Sequence, residues 1–503
     1  MERLGIIDIG SNSIRAVIYE VNESGAYRVI DEAKESARLS ERLGSTDKIS
    51  EEDVQYITAI LLRFRRLCEV HRASRLRVAA TAAIRNHPER DFIAAELRKR
   101  TGLDIEVLSG AEEARLGFLG MINSIDIQDG FLVDIGGGST EVLLFRNRSV
   151  VRSVSFPFGA VNTMRRFGHK GDLTEDAAEQ IRAMIAQAAK EEPWIAANSG
   201  LPLVGLGGTV RSLCKLDQRR KKYSLPITHH YRMTIEDSSY WADKLLGLTL
   251  QRRKRIEGLS KNRADIIVPG ALIFHALLRL TGASHAIVSG AGLRDGIFFE
   301  LLHPEAPQIR NVLEHSVRNL LALHTAIEPE HADHVQRLAM KLYHGLDGEA
   351  RWGVRSGDYL RTAALLHRIG IAIDFYHYNK HTHYMLANTR INGLDHREIL
   401  ICALIASFKN EKNLKRLFAE HRDLLSDTDY LLITQFGILL RFAAALNRSM
   451  SRNVADVTAR IVGGQACITV TACGNWDIER REAAELSKEF SKIWGIEFLM
   501  EEH

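Results

Sequence analysis

The chain opens on three strand-like segments, 4–8, 14–21 and 27–36, each short and set off by polar or glycine-bearing breaks. A helical stretch follows over 50–72. The run 76–81 is a short apolar strand ending in turn chemistry, and 89–100 is helical by periodicity. These elements predict an α/β layer. The pattern restarts at Gly130: 131–134 is a buried strand, a glycine turn follows, and 142–146 and 150–156 continue as strands. A strand, loop, strand opening thus occurs twice, and such duplication predicts two similar lobes facing one another.

From about Asn311 the strand signals vanish, and amphipathic helical stretches run to about Arg452. The last segment reads as strand 458–462, strand 466–472, helix 478–494 and strand 496–500, a small α/β appendage. We therefore divide the chain into a first lobe over 1–125, a second over 126–305, a helical domain over 306–454 and the appendage over 455–503. No low-complexity or proline-rich linker separates them, which predicts packed rather than beaded domains.

At 503 residues, 45% hydrophobic and 26% charged, the chain has the length for several cores and the composition of an ordinary globular protein. A formal charge of +4 does not point to nucleic acid. Two local basic runs, Arg219 to Lys222 and Arg252 to Arg255, leave two readings open, a solvated face or a phosphate-attracting rim. The five cysteines are scattered without CxxC spacing, so neither a disulfide framework nor a zinc site is indicated and a reducing compartment is expected. The start lacks an apolar signal core, and the apolar stretches 268–280 and 431–446 are broken by polar residues. We expect a cytoplasmic chain without membrane insertion.

Four glycine-rich turns carry the candidate chemistry: Asp8-Ile9-Gly10-Ser11-Asn12-Ser13, Asp134-Ile135-Gly136-Gly137-Gly138-Ser139-Thr140, Gly205-Leu206-Gly207-Gly208-Thr209, and Ser289-Gly290-Ala291-Gly292-Leu293-Arg294-Asp295-Gly296. Such a turn lets backbone N–H groups converge on an anion without side-chain obstruction. One alone is more often a tight turn; four together, three ending strand-like runs, point to a polyphosphate. The aspartates that lead two of them suit a magnesium ion, which takes carboxylate and water oxygens beside phosphate, or they cap their turns.

The first two turns, with the intervening Ser109-Gly110-Ala111-Glu112-Glu113-Ala114-Arg115-Leu116, resemble the motifs of the exopolyphosphatase and guanosine pentaphosphatase family. The motifs keep the family's order across about the first 300 residues, and Ser289 to Gly296 resembles its closing loop. The resemblance implies two ribonuclease-H-like lobes of the actin and sugar-kinase type with substrate in the cleft between them. It implies Glu113 as the catalytic glutamate that activates water. Asn12, Ser13, Arg85, Gly136, Gly137, Gly138, Ser139, Gly207, Gly208 and Thr209 become the phosphate-binding set. Asp134 and Glu141, with Asp8, become the magnesium positions, and a homodimer is the family's usual assembly. Neighbouring Glu112 competes for the catalytic role, because adjacent helical residues point in different directions.

The helical region resembles the family's third domain, a relative of the HD phosphohydrolases. Here His367 is followed by Arg368 where a working HD site has aspartate, so a cation replaces the metal-binding carboxylate. His377, His381 and His383 form a second histidine group, read as structural. The segment Ser407-Phe408-Lys409-Asn410 departs from the family's His-Arg-Lys pattern. The expected activity is removal of terminal phosphate from inorganic polyphosphate; guanosine pentaphosphate is the rival substrate. An inactive nucleotide-binding regulator and a superfamily kinase are the readings from other classes.

Overall fold

The computed structural model describes residues 1–43 and 48–502. They form two compact units, Met1–Val312 and Leu313–His503. The first unit holds two sheets. In the first sheet β1 (Glu2–Ile9), β2 (Ile14–Val21) and β3 (Tyr27–Glu35) pair antiparallel. Then β4 (Arg75–Ala80) and β5 (Ile105–Val107) extend it in parallel, giving the order β3-β2-β1-β4-β5.

The second sheet repeats this plan. Antiparallel β6 (Gly130–Ile135), β7 (Thr140–Arg146) and β8 (Ser149–Phe156) are followed by β9 (Leu203–Leu206), β10 (Arg232–Thr234) and β11 (His285–Val288). Its order is β10-β11-β9-β6-β7-β8, with β6, β9 and β11 parallel and β10 added antiparallel at the edge. The two-lobed, ribonuclease-H-like duplication expected from the sequence is thus present, the second sheet carrying β10 in addition.

Strand β1 is apolar on both sides because both sides are covered. Leu4 and Ile6 pack with Leu116, Leu119 and Phe298, while Ile7 and Ile9 pack with Ile57, Ile60 and Leu61 of the Glu51–Val70 helix. The Gly110–Ile122 helix is shared between the sheets. Leu116 and Leu119 face the first sheet's core; Ala114, Phe118 and Met121 join Leu132, Leu143 and Val204 of the second. A helix hydrophobic nearly all round is what such a position requires. Gly296 lets the Leu293–Leu302 helix cross it closely, because a Cβ there would collide with the Leu116 carbonyl, and one on Gly120 would collide with the Gly292 carbonyl.

The second unit is helical, with a three-stranded sheet of β12 (Val454–Val462), β13 (Gln465–Ala472) and β14 (Glu497–Glu502). The Asp477–Trp494 helix covers that sheet through Phe490, which meets Phe442 and Phe498 and stacks on Trp494. Among the described residues no helix is long and apolar enough to cross a membrane. The five cysteines are unpaired.

Candidate active site

The turns after β1 and β6 are built alike. The Gly10 N–H donates to Ser13 O at 3.2 Å, and the Gly136 N–H donates to Ser139 O at 3.0 Å. They also touch: a Cβ on Gly137 would lie 2.8 Å from the Ser11 Cβ, so only glycine lets them approach. Together they floor a cleft of about 960 Å³, open to solvent and lined from both lobes. Asp8, Asn12, Ser13, Glu113, Asp134, Gly136, Gly137, Ser139, Gly207 and Gly208 all line it.

Helix capping separates Glu112 from Glu113. The Glu112 carboxylate accepts from the Ser109 N–H at 2.8 Å while the Glu112 N–H donates to Ser109 Oγ at 3.2 Å, a capping box that ties Glu112 to the helix start. Glu113, one residue on, turns into the cleft. The Arg85 guanidinium holds it at 2.5 Å, donates to Leu108 O at 3.2 Å and reaches Ser139 Oγ at 3.5 Å. Burial and the charge of Glu141 push the Glu113 carboxyl well above the ordinary carboxylate range, with Arg85 opposing them.

Glu141 is fully buried. It accepts from Ser139 Oγ at 2.7 Å and Ser155 Oγ at 2.8 Å and lies 3.8 Å from Arg85. The carboxylates of Asp8 and Asp134, by contrast, make no hydrogen bond among the described residues. Burial raises both, Asp134 to about 7 with further contributions from Glu141 and Asp8. Gly207 sits beside Asp134 with φ +87°, and a Cβ there would stand 2.7 Å from Asp134 Oδ1.

Facing these acids is a group of cations that the sequence reading left out: Arg15, Lys34, Arg211, Arg263 and Arg294. Burial, with repulsion from one another, holds Arg15 and Arg263 down to about 10 and lowers Arg211 and Lys34. A Cβ on Gly208 would collide with the Arg263 guanidinium, which places that group over the Gly207-Gly208 turn. Arg294 lay in a turn already singled out. The others carry no local signal, because they come from separate elements and meet only in the fold.

The structure also changes several sequence expectations. Thr209 is buried, and its side chain faces Gly270 rather than the cleft, with Oγ1 2.8 Å from where a Gly270 Cβ would stand. Gly138 lies beneath the turn against Ser11, Ser40 and Ala82. Arg85, read as a phosphate contact, spends its guanidinium on Glu113, Leu108 and Ser139. Among the described residues no group of three or more His, Cys, Asp or Glu side chains converges as a metal ligand set.

Part of each basic run is structural, while Lys222, Arg252, Lys254 and Arg255 are exposed. Arg220 and Lys221 pair with Asp217 and Asp237, and Arg219 pairs with Glu257. Buried Arg253 donates to the carbonyls of Ala264 and Leu245. In the helical unit His383 lies against His421, ring centroids 6.1 Å apart, and forms no ligand group with His377 and His381.

Two duplicated phosphate turns, a buried glutamate in a cleft and a facing wall of guanidinium groups define an enzyme that hydrolyses phosphoanhydrides. The chain belongs to the Ppx/GppA phosphatase family: the family's model matches residues 17–305, and the model of its domain III matches residues 312–489. The crystal structure of the Aquifex aeolicus family member is 26% identical, with a TM-score of 0.52 over 60% of this chain and 99% of that one. An exopolyphosphatase from Cytophaga hutchinsonii shares the fold at 22% identity, with a TM-score of 0.56 over 61% of this chain and all of that one.

Proposed function

We propose that the protein is an exopolyphosphatase that releases the terminal phosphate of inorganic polyphosphate by attack of a water molecule activated by Glu113. The observation that supports this reading is that Glu113 lines the same cleft as Arg15, Arg211, Arg263 and Arg294. The residues lining the cleft are charged, polar, glycine or aliphatic and none is aromatic, so it offers recognition of charge and of the phosphate tetrahedron, which suits a repeating polyanion.

Substrate enters with its terminal phosphate on the Gly10 to Ser13 and Gly136 to Ser139 turns and its following phosphates along the guanidinium wall. Water attacks the terminal phosphorus in line, its proton passes to Glu113, and the bond to the bridging oxygen breaks. The departing chain, shorter by one phosphate, carries the electron pair away on its new terminal oxygen. Raised basicity suits the Glu113 carboxylate to accept that proton. Arg85 orients it, and Glu141 holds the Ser139 turn.

Magnesium fits Asp8 and Asp134, two carboxylates with no hydrogen bond among the described residues and a charge that burial disfavours more than the nearby arginines favour it. When bound, it would neutralise phosphate charge and withdraw electrons from phosphorus. Phosphate release measured on long polyphosphate, short polyphosphate and guanosine pentaphosphate, with magnesium and then with a chelator, tests the proposal. Turnover confined to guanosine pentaphosphate would replace it with the nucleotide reading.

A further inference from the structure

A second cavity, of about 950 Å³, opens in the helical unit between the Pro329–Gly345, Ser356–Leu366, Asp427–Ala445 and Asp477–Trp494 helices. His331 and His367 line it, buried, with ring centroids 5.6 Å apart. Asn447 Nδ2 lies 2.9 Å from His331 Nδ1, so the amide donates and Nδ1 accepts. A neutral His331 ring then carries its proton on Nε2, a buried N–H with no partner. Burial holds His331 down to about 4 and His367 to about 3, with the charge of Arg368 adding to both, so the rings are neutral at physiological pH.

Arg368 enters the same cavity. It forms no ion pair among the described residues, and its guanidinium stands 6.0 Å over the Tyr378 ring. Arg448 also lines the cavity, held only loosely by Glu482 at 3.8 Å. A half-buried guanidinium without a carboxylate and a buried N–H without an acceptor are both short of negative charge and lone pairs. A cation is disfavoured at this end, where His331 presents N–H and Arg368 repels it; the two carboxylates lining the rest of the cavity, Glu482 and Glu485, lie 3.8 Å from Arg448 and 3.5 Å from Arg481. A tetrahedral oxyanion would satisfy both groups at once.

We propose that this cavity is a phosphoryl-binding site, built by Arg368, Arg448 and the His331 Nε2–H and distinct in its residues from the hydrolytic cleft. Two sources supply the same chemistry. Inorganic phosphate would fill the polar end alone; a phosphorylated nucleoside would also use Phe375 and Tyr378, which line the cavity and offer ring faces.

Equilibrium dialysis of the full chain against radiolabelled phosphate, with GDP as competitor, tests this. Wild type should bind a phosphate equivalent that Arg368→Ala weakens about tenfold to a hundredfold, the worth of one charge-assisted hydrogen bond. Hydrolysis in the cleft and the melting temperature should stay unchanged, and Arg368→Lys should retain part of the affinity. Displacement of that equivalent by GDP at lower concentration than phosphate identifies the nucleoside form; weaker displacement identifies free phosphate. Binding identical in wild type and Arg368→Ala overturns the proposal. If Arg368→Ala does not fold, crystals of the wild-type chain soaked in tungstate decide: anomalous density beside Arg368 supports the site, and its absence there refutes it.

Discussion

Asp134 converts the electrostatics of the cleft into a measurable dependence of stability on pH. Its carboxyl stands at about 7 in the folded chain against an ordinary 3.8, because burial and the neighbouring Glu141 and Asp8 disfavour its charge. The folded state therefore keeps a proton that the unfolded chain has released over that interval. Stability from this group is fully present below about pH 4 and is lost as pH rises through about 7. The limit is about 4 kcal/mol, reduced by whatever solvent reaches the carboxylate through the open cleft.

Asp134→Asn has nearly the same volume and does not titrate. Denaturant unfolding of the metal-free variant should show a shallower fall in stability between pH 5 and pH 8 than wild type, with the gap growing toward pH 8. Asp8, Glu113 and Glu141 are raised as well and leave a residual slope of the same sign in the variant. Magnesium at millimolar concentration should flatten the wild-type slope, because a dication takes over the role of the proton, and should do so less in Asp134→Asn. Parallel slopes for wild type and variant, without and with magnesium, would refute both the buried-charge account and the assignment of Asp134 to the metal.

Glu113→Gln should lower turnover about a hundredfold to ten-thousandfold with substrate binding retained, whereas Glu112→Gln should keep turnover; steady-state phosphate release on both variants separates the pair. Arg211→Ala should weaken polyphosphate affinity and make it less sensitive to salt, read from KM between low and high ionic strength; an unchanged salt dependence would remove Arg211 from the substrate path. Gly296→Ala forces a Cβ against the Leu116 backbone and should cost about 1–3 kcal/mol in unfolding free energy, with a fall in kcat because Leu116 belongs to the helix that carries Glu113.

The parts of this protein legible in sequence are those in which a local pattern carries a local consequence. Strand β6 ending in Asp134-Ile135-Gly136-Gly137 announces its turn because glycine is the residue that such a turn and its close approach to Ser11 require. The duplication was visible for the same reason, since Asp8 and Asp134 lead turns of one design. Strand β10, only Arg232–Thr234, escaped notice: three residues carry too little periodicity, and its pairing with β11 is fixed by tertiary contact.

The cation wall was hidden for a deeper reason. Arg15 sits on a strand and Arg211 on a helix; each is one arginine among many in the sequence, and only the apposition of the two lobes makes them a site. In the basic runs the partners are equally hidden, because Asp217 and Asp237 neutralise Arg220 and Lys221 from positions a charge count along the chain does not connect. Arg85 shows the same limit at the scale of one residue. Its place in the motif announced chemistry, but whether its guanidinium meets phosphate or a carboxylate depends on Glu113 lying 2.5 Å away. A substrate phosphate that reached Arg85 would compete with Glu113 for one guanidinium and, by drawing it away, would free the carboxylate it binds. Arg85→Lys keeps the charge but loses the fork that can serve both partners, so it should lower kcat more than it raises KM; the reverse split in steady-state phosphate release would mean that Arg85 acts mainly by binding substrate.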